Sequence, residues 1–100
     1  MNDQKIKKIG FILVDGFSLM SLSSAVEPLR AANHLSSETL FEITFIAASG
    51  TRASSSVGVI SEGKSIEESG YDFDLVFVTA AGSPITYDVR WSRRSCWFIC

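Results

Sequence analysis

Ile9-Gly10-Phe11-Ile12-Leu13-Val14 runs without a polar residue and stops at Asp15-Gly16. A half-exposed strand alternates, whereas a strand covered on both faces reads as an unbroken apolar run. The same text returns at Leu75-Val76-Phe77-Val78-Thr79-Ala80, introduced by Asp74 and followed by Ala81-Gly82-Ser83-Pro84. Two such runs predict neighbouring inner strands of a parallel sheet. Between them Leu22, Ala25, Val26, Leu29 and Ala32 recur at helical spacing and form one apolar stripe.

The remaining elements follow from this pair. Ser18 or Ser21 is the expected N-cap of the first helix, and Asn33 a left-handed stop. Pro28 has no N–H for the carbonyl of Ser24, so a kink near Glu27 or a restart at Pro28 is expected. Phe41, Ile43 and Phe45 alternate with Glu42 and Thr44, which suits a strand near the sheet edge. Val57-Gly58-Val59-Ile60 reads as a weak short strand. Ser65-Ile66-Glu67-Glu68 fits a capping box, and Gly70 ends that short helix. The predicted fold is α/β: an open, mostly parallel sheet with helices on both faces, flavodoxin-like and incomplete, because no helix is legible after Ala80.

One hundred residues with 46% hydrophobic content allow one packed domain. A net charge of −2 argues against this segment gripping nucleic acid, which calls for a basic face. The run from Ile9 to Val14 is too short for a signal peptide, and nothing approaches the ~18 apolar residues of a membrane span. A soluble cytoplasmic protein is expected. Cys96 and Cys100 lack the companions of a metal site, so no metal and no cofactor is assigned.

The end of the chain changes character. Both Trp, both Cys and three of the five Arg lie between Arg90 and Cys100, and neither structural period is clean there. Residues 1–88 are therefore read as the domain proper and 89–100 as an atypical tail, non-native if the reading frame is abnormal near Asp88–Arg90.

Gly58-Val59-Ile60-Ser61-Glu62-Gly63-Lys64-Ser65 matches the phosphate-loop pattern G-x-x-x-x-G-K-S letter for letter. Its setting is wrong. No strong strand precedes Gly58, Val59 and Ile60 suit a strand rather than a loop, and Gly70 stops the following helix early. An exposed turn before a capped helix is the simpler reading, with a nucleotide site on Lys64 and Ser65 as the alternative. His34, the only histidine, sits at a helix end without an identifiable nucleophile. Ligands of open α/β sheets collect beyond the carboxyl ends of the strands. That rule selects Asp15, Gly16, Phe17, Ala81 and Gly82. Glu27, just before Pro28, could lean over the same crevice, although residue geometry alone favours a solvated carboxylate.

Lys8 to Asp88, and above all the string Ala25-Val26-Glu27-Pro28-Leu29-Arg30-Ala31-Ala32-Asn33, resembles the amino-terminal DJ-1/PfpI-like domain of AraC-type transcriptional regulators, a domain similar in fold to class I glutamine amidotransferases. The resemblance implies a pocket position for Glu27, opposite a reactive cysteine on a strand-to-helix elbow. That elbow is not found here, since Cys100 has no following residues to build it. The resemblance further implies a truncated sensing and dimerisation domain rather than an enzyme. Its partners would be a small-molecule effector from amino-acid or quaternary-amine catabolism and a second copy, with DNA held only by a downstream helix-turn-helix region. A truncated DJ-1/PfpI-like hydrolase or amidotransferase-like enzyme is the alternative.

Overall fold

The computed structural model describes residues 6–70, 72–80 and 96–99. In chain order they form β1 (Lys7–Leu13), α1 (Leu19–Ser36), β2 (Phe41–Ala47), β3 (Arg52–Ser54), β4 (Ile60–Glu62), α2 (Ile66–Ser69), β5 (Leu75–Thr79) and β6 (Cys96–Ile99). The main sheet has the order β2-β1-β5-β6, all parallel. The two unbroken apolar runs are the inner pair, in register from Ile9 opposite Leu75 to Leu13 opposite Thr79. The alternating segment is the edge strand β2.

Strand alternation sends side chains to two faces, and each face has its own cover. Ile9, Phe11 and Leu13 pack with Phe17 and Ala53 under Leu22, Ala25, Val26 and Leu29 of α1. Phe11 stacks on Phe77 with ring centroids 5.1 Å apart and meets Phe45 at 5.8 Å. Ile12, Ile46, Val76 and Val78 form the opposite face beneath Ile66 of α2 and Phe73. The sheet is thus covered on both sides by elements that follow different strands, the arrangement of a flavodoxin-like domain. At the strands' amino ends Lys8 bonds Asp72 at 3.0 Å. That hydrogen bond, reinforced by the charges of Asp72, Glu42 and Asp74, raises the lysine's pKa.

Three expectations change. α1 is continuous through Pro28, so the helix does not restart there. Pro28 and Ser24 are both on the exposed side of the helix, where water can take the carbonyl that the ring leaves free. Asn33 is not the helix stop; Ser37 takes the left-handed position at φ 63, its N–H donating to the His34 carbonyl. Of the two N-cap candidates Ser18 is the one used, its Oγ accepting from the Ser21 N–H at 3.2 Å. The short strand lies at Ile60–Glu62 and pairs antiparallel with a partner the pattern hid, Arg52–Ser54. The Ser65–Glu68 capping box forms as read, and Gly70 closes the helix. Cys96–Ile99, within the segment where no period was clean, is a fourth parallel strand beside β5.

Candidate functional site

The path from β1 into α1 makes the most distinctive local structure. Beyond Leu13, the Val14 N–H donates to the Thr79 carbonyl at 3.0 Å, so the tips of the two inner strands stay zipped together. Asp15 and Gly16 then turn the chain, and Gly16 needs its φ of 88°. The turn leans on β3. The Asp15 carboxylate accepts from the Ser54 N–H at 3.0 Å, and the Gly16 N–H donates to the Ser54 carbonyl at 2.7 Å. Next, the Phe17 carbonyl accepts from the Ser56 N–H at 2.8 Å. The Phe17 side chain is fully buried in the α1-side core, whereas Asp15 is exposed.

The hairpin on which this turn leans is organised by Ser55. Its buried hydroxyl accepts from the N–H groups of Val57 and Val59, at 3.3 and 3.0 Å. The Gly58 N–H closes a tight turn onto the Ser55 carbonyl at 3.0 Å, with Gly58 itself left-handed at φ 88. Sequence reasoning missed this residue. A serine three positions before a glycine is a usable turn signal, but Ser54-Ser55-Ser56 hides which hydroxyl acts.

Strand order adds a topological reason to look here. From β1 the chain goes to β2 on one side, and from β5 to β6 on the other. The carboxyl ends of such a divergent pair flank the crevice in which open α/β sheets bind ligands. Thr79 ends β5 at that place, fully buried, and among the described residues its hydroxyl has no hydrogen-bond partner. An orphaned hydroxyl destabilises the fold that keeps it. Thr79→Val is therefore expected to raise unfolding stability by about 1 kcal/mol in urea titration; a loss of that size would mean the hydroxyl is bonded in solution.

Asp15, Gly16 and Phe17 are thus brought together at the tip of β1. Ala81 and Gly82 lie outside the described residues, as does Cys100. Glu27 is not brought to the tip. It stands nine positions after Ser18, about 13 Å along the helix axis, exposed, with its Oε1 accepting from Arg30 Nε at 2.6 Å. His34 is exposed in the last turn of α1. Among the described residues no three His, Cys, Asp or Glu side chains gather as a metal site, and no helix is long and apolar enough to cross a membrane.

The phosphate-loop pattern resolves into other structure. Ile60–Glu62 is paired strand, not loop. The Lys64 N–H donates to the Phe45 carbonyl, and its own carbonyl accepts from Ala47, both at 2.9 Å. The helix that follows has only four residues. A backbone tied into β3 and β2 cannot also wrap phosphates.

The molecule is therefore an open parallel α/β domain with a divergent strand pair and a built turn at its tip, a class defined by binding crevices. The chain is similar, more particularly, to transcriptional regulators. It is 41% identical over 83 residues, 83% of its own length, to the HTH-type transcriptional regulator GlxA of Rhizobium meliloti. Over 53 residues it is 45% identical to the HTH-type transcriptional regulator GbdR of Pseudomonas aeruginosa. The chain spans only 26% of the first relative and 14% of the second. An AraC family transcriptional regulator from Pseudomonas putida superposes on 81% of the chain with a TM-score of 0.70 and 26% identity, the match covering 44% of that protein. A putative transcriptional regulator protein from Vibrio parahaemolyticus shares the fold at a TM-score of 0.65 and 15% identity, over 82% of this chain and 43% of its own. No protein-family model matches the chain.

Proposed function

We propose that these residues are the front part of the effector-sensing and dimerisation domain, DJ-1/PfpI-like, of a cytoplasmic AraC-type transcriptional regulator. The observation that carries this reading is the 41% identity to a helix-turn-helix regulator across 83 residues. The site supports it. The tip of β1 and β5 offers a turn built from Asp15, Gly16 and Phe17, fixed against β3 and carrying the exposed Asp15 carboxylate, which suits holding a small polar effector. Ala81 and Gly82, next along the chain from β5, complete the proposed contact set, while Glu27 on its solvent-facing ion pair stands apart from it. Binding of this kind shifts a regulator by favouring one of two states and requires no nucleophile. DNA contact belongs to a separate helix-turn-helix region, consistent with the net charge of −2 of this segment.

Two measurements test the reading. In a mobility-shift titration with DNA from upstream of its own gene, the 100-residue chain is expected to give no specific complex; a specific shift by these residues alone overturns the assignment of DNA binding elsewhere. Sequencing the DNA that follows codon 100 is expected to show helix-turn-helix coding in some frame. An elbow cysteine followed by no further domain would instead make the protein a hydrolase of the same fold.

A further inference from the structure

We propose that Asn33 is an edge guard: its side-chain amide occupies the place of a neighbouring strand on β2 and closes that edge of the sheet to strand addition by a second copy of the chain. This role is independent of the effector reading and would hold for any function of the domain. The outermost strand of a sheet presents a row of unpaired N–H and C=O groups, a template for another strand.

Along β2 the even-numbered positions serve β1. The Lys7 N–H donates to the Leu40 carbonyl at 3.0 Å, and the Ala48 N–H to the Leu13 carbonyl at 2.9 Å. The backbone groups of Phe41, Ile43, Phe45 and Ala47 therefore face outward. Asn33 Nδ2 donates to the Phe41 carbonyl at 2.9 Å, and its Oδ1 accepts from the Phe41 N–H at 2.9 Å and the Leu40 N–H at 2.8 Å. A primary amide thus supplies Phe41 with the donor and acceptor that a paired strand residue would supply. At the other end the backbone of Lys64 does the same, donating to Phe45 and accepting from Ala47. Between the two guards remain the Ile43 N–H and C=O and the Phe45 N–H, too short a run to nucleate a strand. The helix continues past Asn33 to Ser36, and the Asn33 side chain reaches Leu40 and Phe41 from within the last turn. Asn33 thus lies inside the last turn of α1 and is not its stop.

Hydrogen exchange on the unmodified chain gives the first test. The Phe41 amide is expected to exchange at least roughly tenfold more slowly than the Ile43 amide, although both face outward on the same strand. Equal rates would overturn the guard. Sedimentation velocity over a concentration series gives the second. Asn33→Ala is expected to strengthen self-association roughly tenfold relative to the parent chain, since of the three backbone groups it frees the outward-facing N–H and C=O of Phe41 become open to pairing. Leu29→Ala, which weakens core packing and leaves the edge closed, is expected to sediment as the parent does. Association of both variants alike, or of neither, would overturn the proposal.

Discussion

Replacing Gly63 by alanine is expected to lower the unfolding free energy by about 3 kcal/mol, more than the same change at Gly58. A Cβ built on Gly63 would stand 2.6 Å from the Phe45 carbonyl oxygen and 3.0 Å from its carbon. Real Cβ atoms do not approach backbone so closely, and a carbonyl in an edge strand cannot swing away as a side chain can. The two segments must part. Their separation strains three bonds at once: Gly63 N–H to Thr51 at 2.9 Å, Lys64 N–H to Phe45 and Ala47 N–H to Lys64. At about 1 kcal/mol for each hydrogen bond the sum is roughly 3 kcal/mol. Small domains have only ~5 kcal/mol or little more to lose, so a large part of the population should unfold. Gly58 has nothing within 4 Å of its Cβ position, and its demand is the left-handed φ of 88°; alanine there costs about 1–2 kcal/mol. Urea midpoints of the two variants decide the matter. Equal midpoints would mean that the hairpin is not held against β2 at Gly63.

Those two glycines also show what the sequence could and could not disclose. They are the anchoring letters of a pattern that reads as a phosphate loop, and both are needed, but for a turn and for a close backbone approach. A short motif records where glycine is required and not why. The long signals were legible because each is an average over many residues. The apolar runs of β1 and β5 set the inner pair and its direction, the stripe of α1 set its face, and the alternation of Phe41, Ile43 and Phe45 set the edge. β3 and β4 have three residues each and carry no period to detect. β6 has four residues, and its place depends on the partner β5 and not on a pattern of its own. Pro28 does not restart the helix, since it lies with Ser24 on the exposed face of a continuous α1. Asn33 has the composition of a helix stop, while its use is a contact with residues seven and eight positions ahead. Of the candidate site, Asp15, Gly16 and Phe17 were placed by the rule that ligands gather at strand ends. Glu27 was drawn in by its place before Pro28 and then by family resemblance; helix rise carries it down α1 from the tip, on the exposed face.

Phe17→Ala is expected to be the more costly change, about 3–5 kcal/mol for a fully buried aromatic ring, and to take the candidate site with it. The ring lies in one cluster with Ile9, Phe11, Leu13 and Ala53, so it is held by β1 and by the hairpin strand β3 together. Its own backbone carbonyl receives the Ser56 N–H, while the two residues before it bond Ser54. One side chain therefore fixes the turn against both the sheet and the hairpin. Asp15→Ala removes only an exposed carboxylate's bond to one amide and should cost about 1 kcal/mol, which separates the polar contact from the anchor. Phe17→Leu keeps most of the apolar volume and should recover more than half of the loss. Native-state hydrogen exchange shows whether the anchor sets the tip. In the leucine variant, which stays folded, the Ser54 and Ser56 amides should speed up together while the Phe11 amide does not. If instead all three amides accelerate equally, Phe17 contributes to the global core alone, and the turn that offers Asp15 and Gly16 to an effector has no separate support.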